Sequence, residues 1–232
     1  MRLKHVTKFW FFSFLALGFL ALLATHCNKE DEYVINTVTD IDGNVYHTVA
    51  IGTQVWMVEN LKTTRYNDGA DIPLVTDDTA WSTLTTPGYC WLENDSLNNK
   101  PAYGALYNWY AVNTGKLCPA GWHVPTDSDW STLTTYLGGE SVAGGKLKET
   151  GSAHWLFPYP GTDNSSGFAA RPGGSRIGDG TFTTAGIAGN WWTSTDYDNS
   201  YAWYRNMGGY SNSVSRSSFF KENGFSVRCM KD

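Results

Sequence analysis

The stretch Cys118-Pro119-Ala120-Gly121-Trp122-His123-Val124-Pro125-Thr126-Asp127-Ser128-Asp129-Trp130 constrains this chain more than any other. Thr126 followed three residues later by Asp129 has the form of a capping box, in which a hydroxyl accepts from a first-turn amide and a carboxylate reaches back to the cap N–H. Trp130, Leu133, Thr134 and Leu137 recur at the i, i+3, i+4, i+7 spacing of one helical face, and Gly138-Gly139 supplies the left-handed conformations that end helices. The pattern predicts a strand end, a turn, and a helix from about Asp127 to Leu137.

Around this anchor, residues 34–61 alternate with period two and break at Asp42-Gly43, a hairpin signal. Strands are expected at Val34–Ile41, Val45–Ile51 and Gln54–Leu61. Residues 62–99 read as a long ordered loop packed by Trp81, Tyr89 and Trp91. A first helix is expected over Pro101–Asn113 with Leu106, Trp109 and Tyr110 buried, and a short helical turn at Gly144–Gly151. Trp155–Pro172 reads as loop, and Gly173–Arg176 as a strand start. Asn190–Thr195, Ser200–Met207, Val214–Ser218 and Gly224–Cys229 read as closing antiparallel strands. The sum is an α+β domain: two short helices on one mostly antiparallel twisted sheet whose first and last strands lie together, with long ordered loops and an N-terminal β-hairpin.

The ends speak of export. Arg2, Lys4 and Lys8 precede the uncharged run Phe9–Ala24, which is shorter than the ~20 residues a spanning helix needs and reads as a signal peptide. Leu22-Leu23-Ala24-Thr25-His26-Cys27 resembles the lipobox of bacterial lipoproteins, with Cys27 as lipidated first residue and His26 in place of the usual small residue. Asn28-Lys29-Glu30-Asp31-Glu32 resembles the surface-export signal of Bacteroidetes-type lipoproteins. The expected organisation is signal peptide 1–26, flexible tether 27–33 and one domain over 34–232, lipid-anchored in the outer membrane at the cell surface.

The net charge is −5, and the three basic residues above are the only charged ones in 1–26, so the exported part carries −8. That sign argues against nucleic acid as a partner. Aromatics at 15% with 24 glycines indicate a loop-rich fold held by large rings. Besides Cys27 there are Cys90, Cys118 and Cys229. In an oxidising compartment one pair is expected, favoured as Cys118 with Cys229, leaving Cys90 over.

Asp40–Tyr46, Val55–Leu61, Leu106–Val112, Cys118–Thr126 and Gly224–Cys229, five separated motifs in order, resemble the Fibrobacter succinogenes major paralogous domain. That family occurs in exported and lipid-anchored proteins. Its core resembles a C-type-lectin-like fold, as in the formylglycine-generating enzyme superfamily. The resemblance implies either a non-catalytic binding domain or an enzyme of that type with a displaced or lost metal site; a purely structural envelope component is the third reading.

The residues favour binding. His47, His123 and His154 are not at metal-ligand spacing, and no nucleophile elbow or phosphate loop is present, so no catalytic residue, metal or cofactor is expected. His123 reads as a hydrogen-bonded, partly buried ring. Arg171, Arg176, Arg205, Arg216 and Arg228 read as structural partners of Asp or backbone carbonyls. Asp77, Asp78, Glu93, Asn94 and Asp95 match no calcium loop and read as solvated loop acids. In lectin-like folds the ligand surface lies in the long loop region, here about Trp155–Asn212. Sugar faces stack on aromatic rings while amides and carboxylates meet hydroxyls. The candidate set is therefore Tyr159, Asp163, Asn164, Tyr197, Asp198, Tyr201, Trp203 and Tyr210, for a glycan or a surface protein. Alternation places Tyr201, Trp203 and Arg205 on one strand face, Ala202 and Tyr204 on the other.

Overall fold

The computed structural model describes residues 36–232; the expected signal peptide, the expected tether with Cys27, and Val34 and Ile35 of the expected first strand lie outside them. The described residues form two five-stranded sheets and a two-stranded ribbon rather than one sheet. In the first sheet the order is β1 (Thr37–Thr39), β2 (Val45–Ile51), β3 (Gln54–Met57), β12 (Met230–Lys231), β6 (Trp122–His123). In the second it is β11 (Ser215–Phe220), β10 (Tyr201–Gly208), β9 (Ala188–Asp196), β7 (Gly173–Arg176), β8 (Phe182–Ala185). Every strand pair is antiparallel except β7 with β9. The last strand lies beside β3, not beside the first strand.

The anchor behaves as its sequence requires. Thr126 accepts from the Asp129 N–H at 3.1 Å and Asp129 accepts from the Thr126 N–H at 2.8 Å, closing the box. The helix, α4, covers Asp127–Tyr136 and buries Trp130, Leu133 and Thr134. Cys118 and Cys229 are joined, closing a loop of 111 residues.

Among the described residues five α-helices stand where two were expected: α1 (Asp78–Ser82), α2 (Ser96–Tyr103), α3 (Trp109–Val112), α4, and α5 (Glu140–Leu147). The single helix predicted over Pro101–Asn113 does not form. Gly104 sits at φ +71°, where a Cβ would stand 2.6 Å from the Leu61 carbonyl oxygen. The chain turns there, and β5 (Ala105–Tyr107) pairs with β4 (Tyr89–Trp91). Asn108 then caps α3 by accepting from the Ala111 N–H. Leu106 and Trp109 are buried as expected, but on different elements. The 62–99 stretch is likewise not all loop, since Trp81 rides on α1, and Tyr89 and Trp91 on β4. Its acids act in caps and pairs: Asp77 caps α1, Asp95 caps α2, and Asp78 pairs with Arg176 at 2.6 Å.

Strand β9 organises the core. Trp191 and Trp192 are consecutive and so point to opposite faces. Trp192 packs with Phe225, Tyr107 and Trp109, Trp191 with Trp56, Trp130 and Phe168. Both are fully buried with satisfied indole N–H groups, on the Asn60 side chain and the Tyr107 carbonyl. The predicted strand Gly224–Cys229 is instead irregular chain that stitches the sheets together. Phe225 exchanges hydrogen bonds with Tyr107, Ser226 bonds to β9, and the Val227 and Cys229 carbonyls accept from Leu61 and Met57.

At the N-terminal hairpin the strand ends early because Asp40 accepts from the Asp42 and Asn44 N–H groups and from the Tyr46 hydroxyl. Asp42 reaches across to Thr63, Thr64 and Arg65. Burial pushes the Asp42 carboxyl up, but these donors outweigh it and hold it at about 2, down from 3.8. A carboxyl lowered in the folded state contributes stability that is complete above its unfolded value and disappears as pH falls through the folded one. Acid unfolding between pH 4 and 2 should therefore be shallower in Asp42→Asn than in the wild type. Parallel acid limbs followed by tryptophan fluorescence would refute this.

Candidate functional site

The predicted ligand residues do not form one platform. Tyr197, Asp198, Tyr201 and Trp203 sit at the β9–β10 hairpin, whereas Tyr159, Asp163, Asn164 and Tyr210 lie beyond the other end of β10. That eight-residue strand spans about 25 Å. Several members are also occupied structurally. Asp198 accepts from the Ser200 and Tyr201 N–H groups, Asp163 from Ser165, and Asn164 from Ala169, so all three hold turns. The Arg216 guanidinium lies 3.5 Å from the Trp203 ring centre, fixed there by Asp127, and Tyr197 packs edge-on at 5.0 Å. Tyr201 packs against Phe220 with tilted rings, and Tyr210 stacks on Phe157.

The arginines behave as read. Arg205 is buried against Asp127 and Ser131, Arg176 against Asp78 and three carbonyls, and Arg171 pairs with Glu149. His123 bonds Asp232 at 2.7 Å, His47 bonds Glu59 at 2.6 Å and His154 bonds Glu149 at 2.5 Å. Among the described residues no three His, Cys, Asp or Glu side chains are grouped to hold a metal ion. Cys90 is fully buried, and desolvation pushes its thiol up to about 12. With Cys118 and Cys229 joined, Cys90 is the one free thiol among the described residues.

A groove of about 240 Å³ lies on the face of the second sheet that Tyr204 shares with Ala202, opposite α4. Tyr204, Phe219 and Phe225 supply three rings, Asn190 and Asn206 two amides, and Ser175, Thr183 and Thr184 three hydroxyls, with no charged side chain. The register explains the assembly. Asn206 lies opposite Asn190 and Tyr204 opposite Trp192 across β9–β10, while Ser175 lies opposite Thr183 across β7–β8. Asn206 donates to Asn190 at 2.8 Å and Asn190 donates to the Gly174 carbonyl, which fixes both amides. Sequence reasoning missed this site. The signal was present in Tyr204 and Asn206 two apart on the unchosen face, but strand β8 was unrecognised and its threonines were never placed.

The sequence model of the Fibrobacter succinogenes major domain matches residues 49–231. The chain belongs to this family. The matched span of the Fibrobacter succinogenes major domain includes both sheets' central strands, the α4 anchor, the disulfide and every groove residue, while the hairpin motif Asp40–Tyr46 precedes it. Among curated proteins and among solved structures, nothing matches. No helix among the described residues is long and apolar enough to cross a membrane.

Proposed function

We propose that this Fibrobacter succinogenes major domain is a non-catalytic, lectin-like binding module of a lipoprotein anchored through Cys27 at the outer membrane surface, and that its ligand is an extracellular polysaccharide. The observation that carries the reading is the composition of the groove: aromatic faces, fixed amides and hydroxyls, with no carboxylate, imidazole, amine, guanidinium or thiol, and with the Tyr204 phenol pushed further up by burial. Stacking on ring faces with hydrogen bonds at the edges suits sugars, whereas general acid–base or nucleophilic catalysis needs an ionisable group at the reacting centre.

A glycan array probed with the exported form of the protein tests this. Specific signals on plant, host or microbial polysaccharides are expected. Silence across the array, together with capture of a single surface protein, would transfer the reading to protein recognition.

A further inference from the structure

The position of Thr184 sharpens that reading, on which this inference rests. Thr184 stands at φ +59° in the left-handed region, which a β-branched residue rarely occupies. Glycine would adopt that conformation freely, and Gly186 two residues on does so at φ +74°. The turn is closed by Ile187 N–H donating to the Thr184 carbonyl, which a glycine would allow equally well. The local backbone therefore gives no reason for threonine. The half-buried Thr183 and the exposed Thr184 both line the groove, which leaves the Thr184 side chain open to a ligand.

The rest of the lining narrows the ligand. All ten groove residues are uncharged: Ser175, Ile177 and Ala188 complete the set with Thr183, Thr184, Asn190, Tyr204, Asn206, Phe219 and Phe225. A carboxylate, sulfate or ammonium placed among them would lose its hydration without a counter-charge. At about 240 Å³ the space lies below the roughly 300–1,000 Å³ of drug-sized pockets and suits one small ring.

We propose that the groove between β8 and β10 is a subsite for a single neutral sugar ring of a polysaccharide, with the Thr184 hydroxyl hydrogen-bonding a ring hydroxyl, and the Tyr204 and Phe219 rings packing against its apolar face. The subsite selects neutral hexose or pentose units against uronic acids and sulfated sugars.

The test compares binding of the full exported chain to neutral and acidic oligosaccharides by calorimetry, using wild type, Thr184→Gly and Asn206→Ala. Affinity for neutral oligosaccharides should fall about tenfold in Thr184→Gly, the order expected for one lost hydrogen bond, while its melting temperature holds or rises because the backbone strain is relieved. A residue retained only for folding would give the opposite pattern, with lower stability and unchanged affinity. Equal affinity for acidic and neutral sugars, or full binding by both variants, overturns the subsite while leaving carbohydrate binding intact. Absence of any sugar binding by the wild type overturns both.

Discussion

Replacing Cys118 and Cys229 together by alanine is expected to lower the free energy of unfolding by about 4–5 kcal/mol. The bond closes a loop of 111 residues, and in the chain-entropy account a cross-link over that length removes about 4–5 kcal/mol of freedom from the unfolded chain. Native stabilities are only about 5–15 kcal/mol, so the loss is a large share of the whole. The position of the bond adds to its effect. Cys229 ends the irregular Gly224–Cys229 segment, whose hydrogen bonds to Tyr107, β9, Leu61 and Met57 tie the two sheets together. Cys118 opens the turn that leads into β6 and α4. Urea unfolding of the oxidised wild type, the reduced wild type and the double variant measures it. The last two should coincide, and a difference below 1 kcal/mol between oxidised wild type and variant would show that the unfolded chain is not what the bond constrains.

Arg228→Ala is expected to cost about 3–5 kcal/mol, the range for removing one partner from a buried charged network. Arg228 is 1% exposed, and burial pushes its guanidinium down to about 9, which leaves it charged at neutral pH. Among the described residues its hydrogen bonds go to a carbonyl and an amide rather than to a carboxylate. It donates to the Phe168 carbonyl and to Asn60 Oδ1, and lies 4.0 Å from the Phe168 ring centre. Asn60 Oδ1 also accepts from Trp191, so the arginine fixes the side chain that orients a central tryptophan. Truncation leaves acceptors unpaired and opens a cavity beside Phe168 and Trp191. Arg228→Met refills much of that volume and should recover part of the loss, the remainder reporting the orphaned acceptors. Thermal unfolding of both variants measures the partition; equal losses would mean that volume plays no part.

Legibility followed the range of the interactions. The α4 cap, the helix end at the paired glycines, the Asp-Gly turn and the alternation of β10 depend on residues within four positions of one another, and these were readable to within a few residues. The Pro101–Asn113 error came from a local pattern overruled by a distant atom, the Leu61 carbonyl that leaves room only for Gly104. The candidate ligand residues failed to converge for a related reason. Alternation says which residues share a face, but not which end of a strand a loop returns to, nor whether Arg216 will cover Trp203.

By itself the sequence determined the α+β class, the capped helix and the family, because each rests on short-range chemistry or on ordered motifs; it favoured the Cys118–Cys229 pair and a structural use of the arginines, whose partners lie far away along the chain. Only the tertiary structure decided that there are two sheets, that the Gly224–Cys229 chain joins them, and that an uncharged groove forms where β7, β8, β9, β10 and β11 meet. The groove's lining residues run from Ser175 to Phe225, and no periodicity within one segment records how five strands align across a sheet.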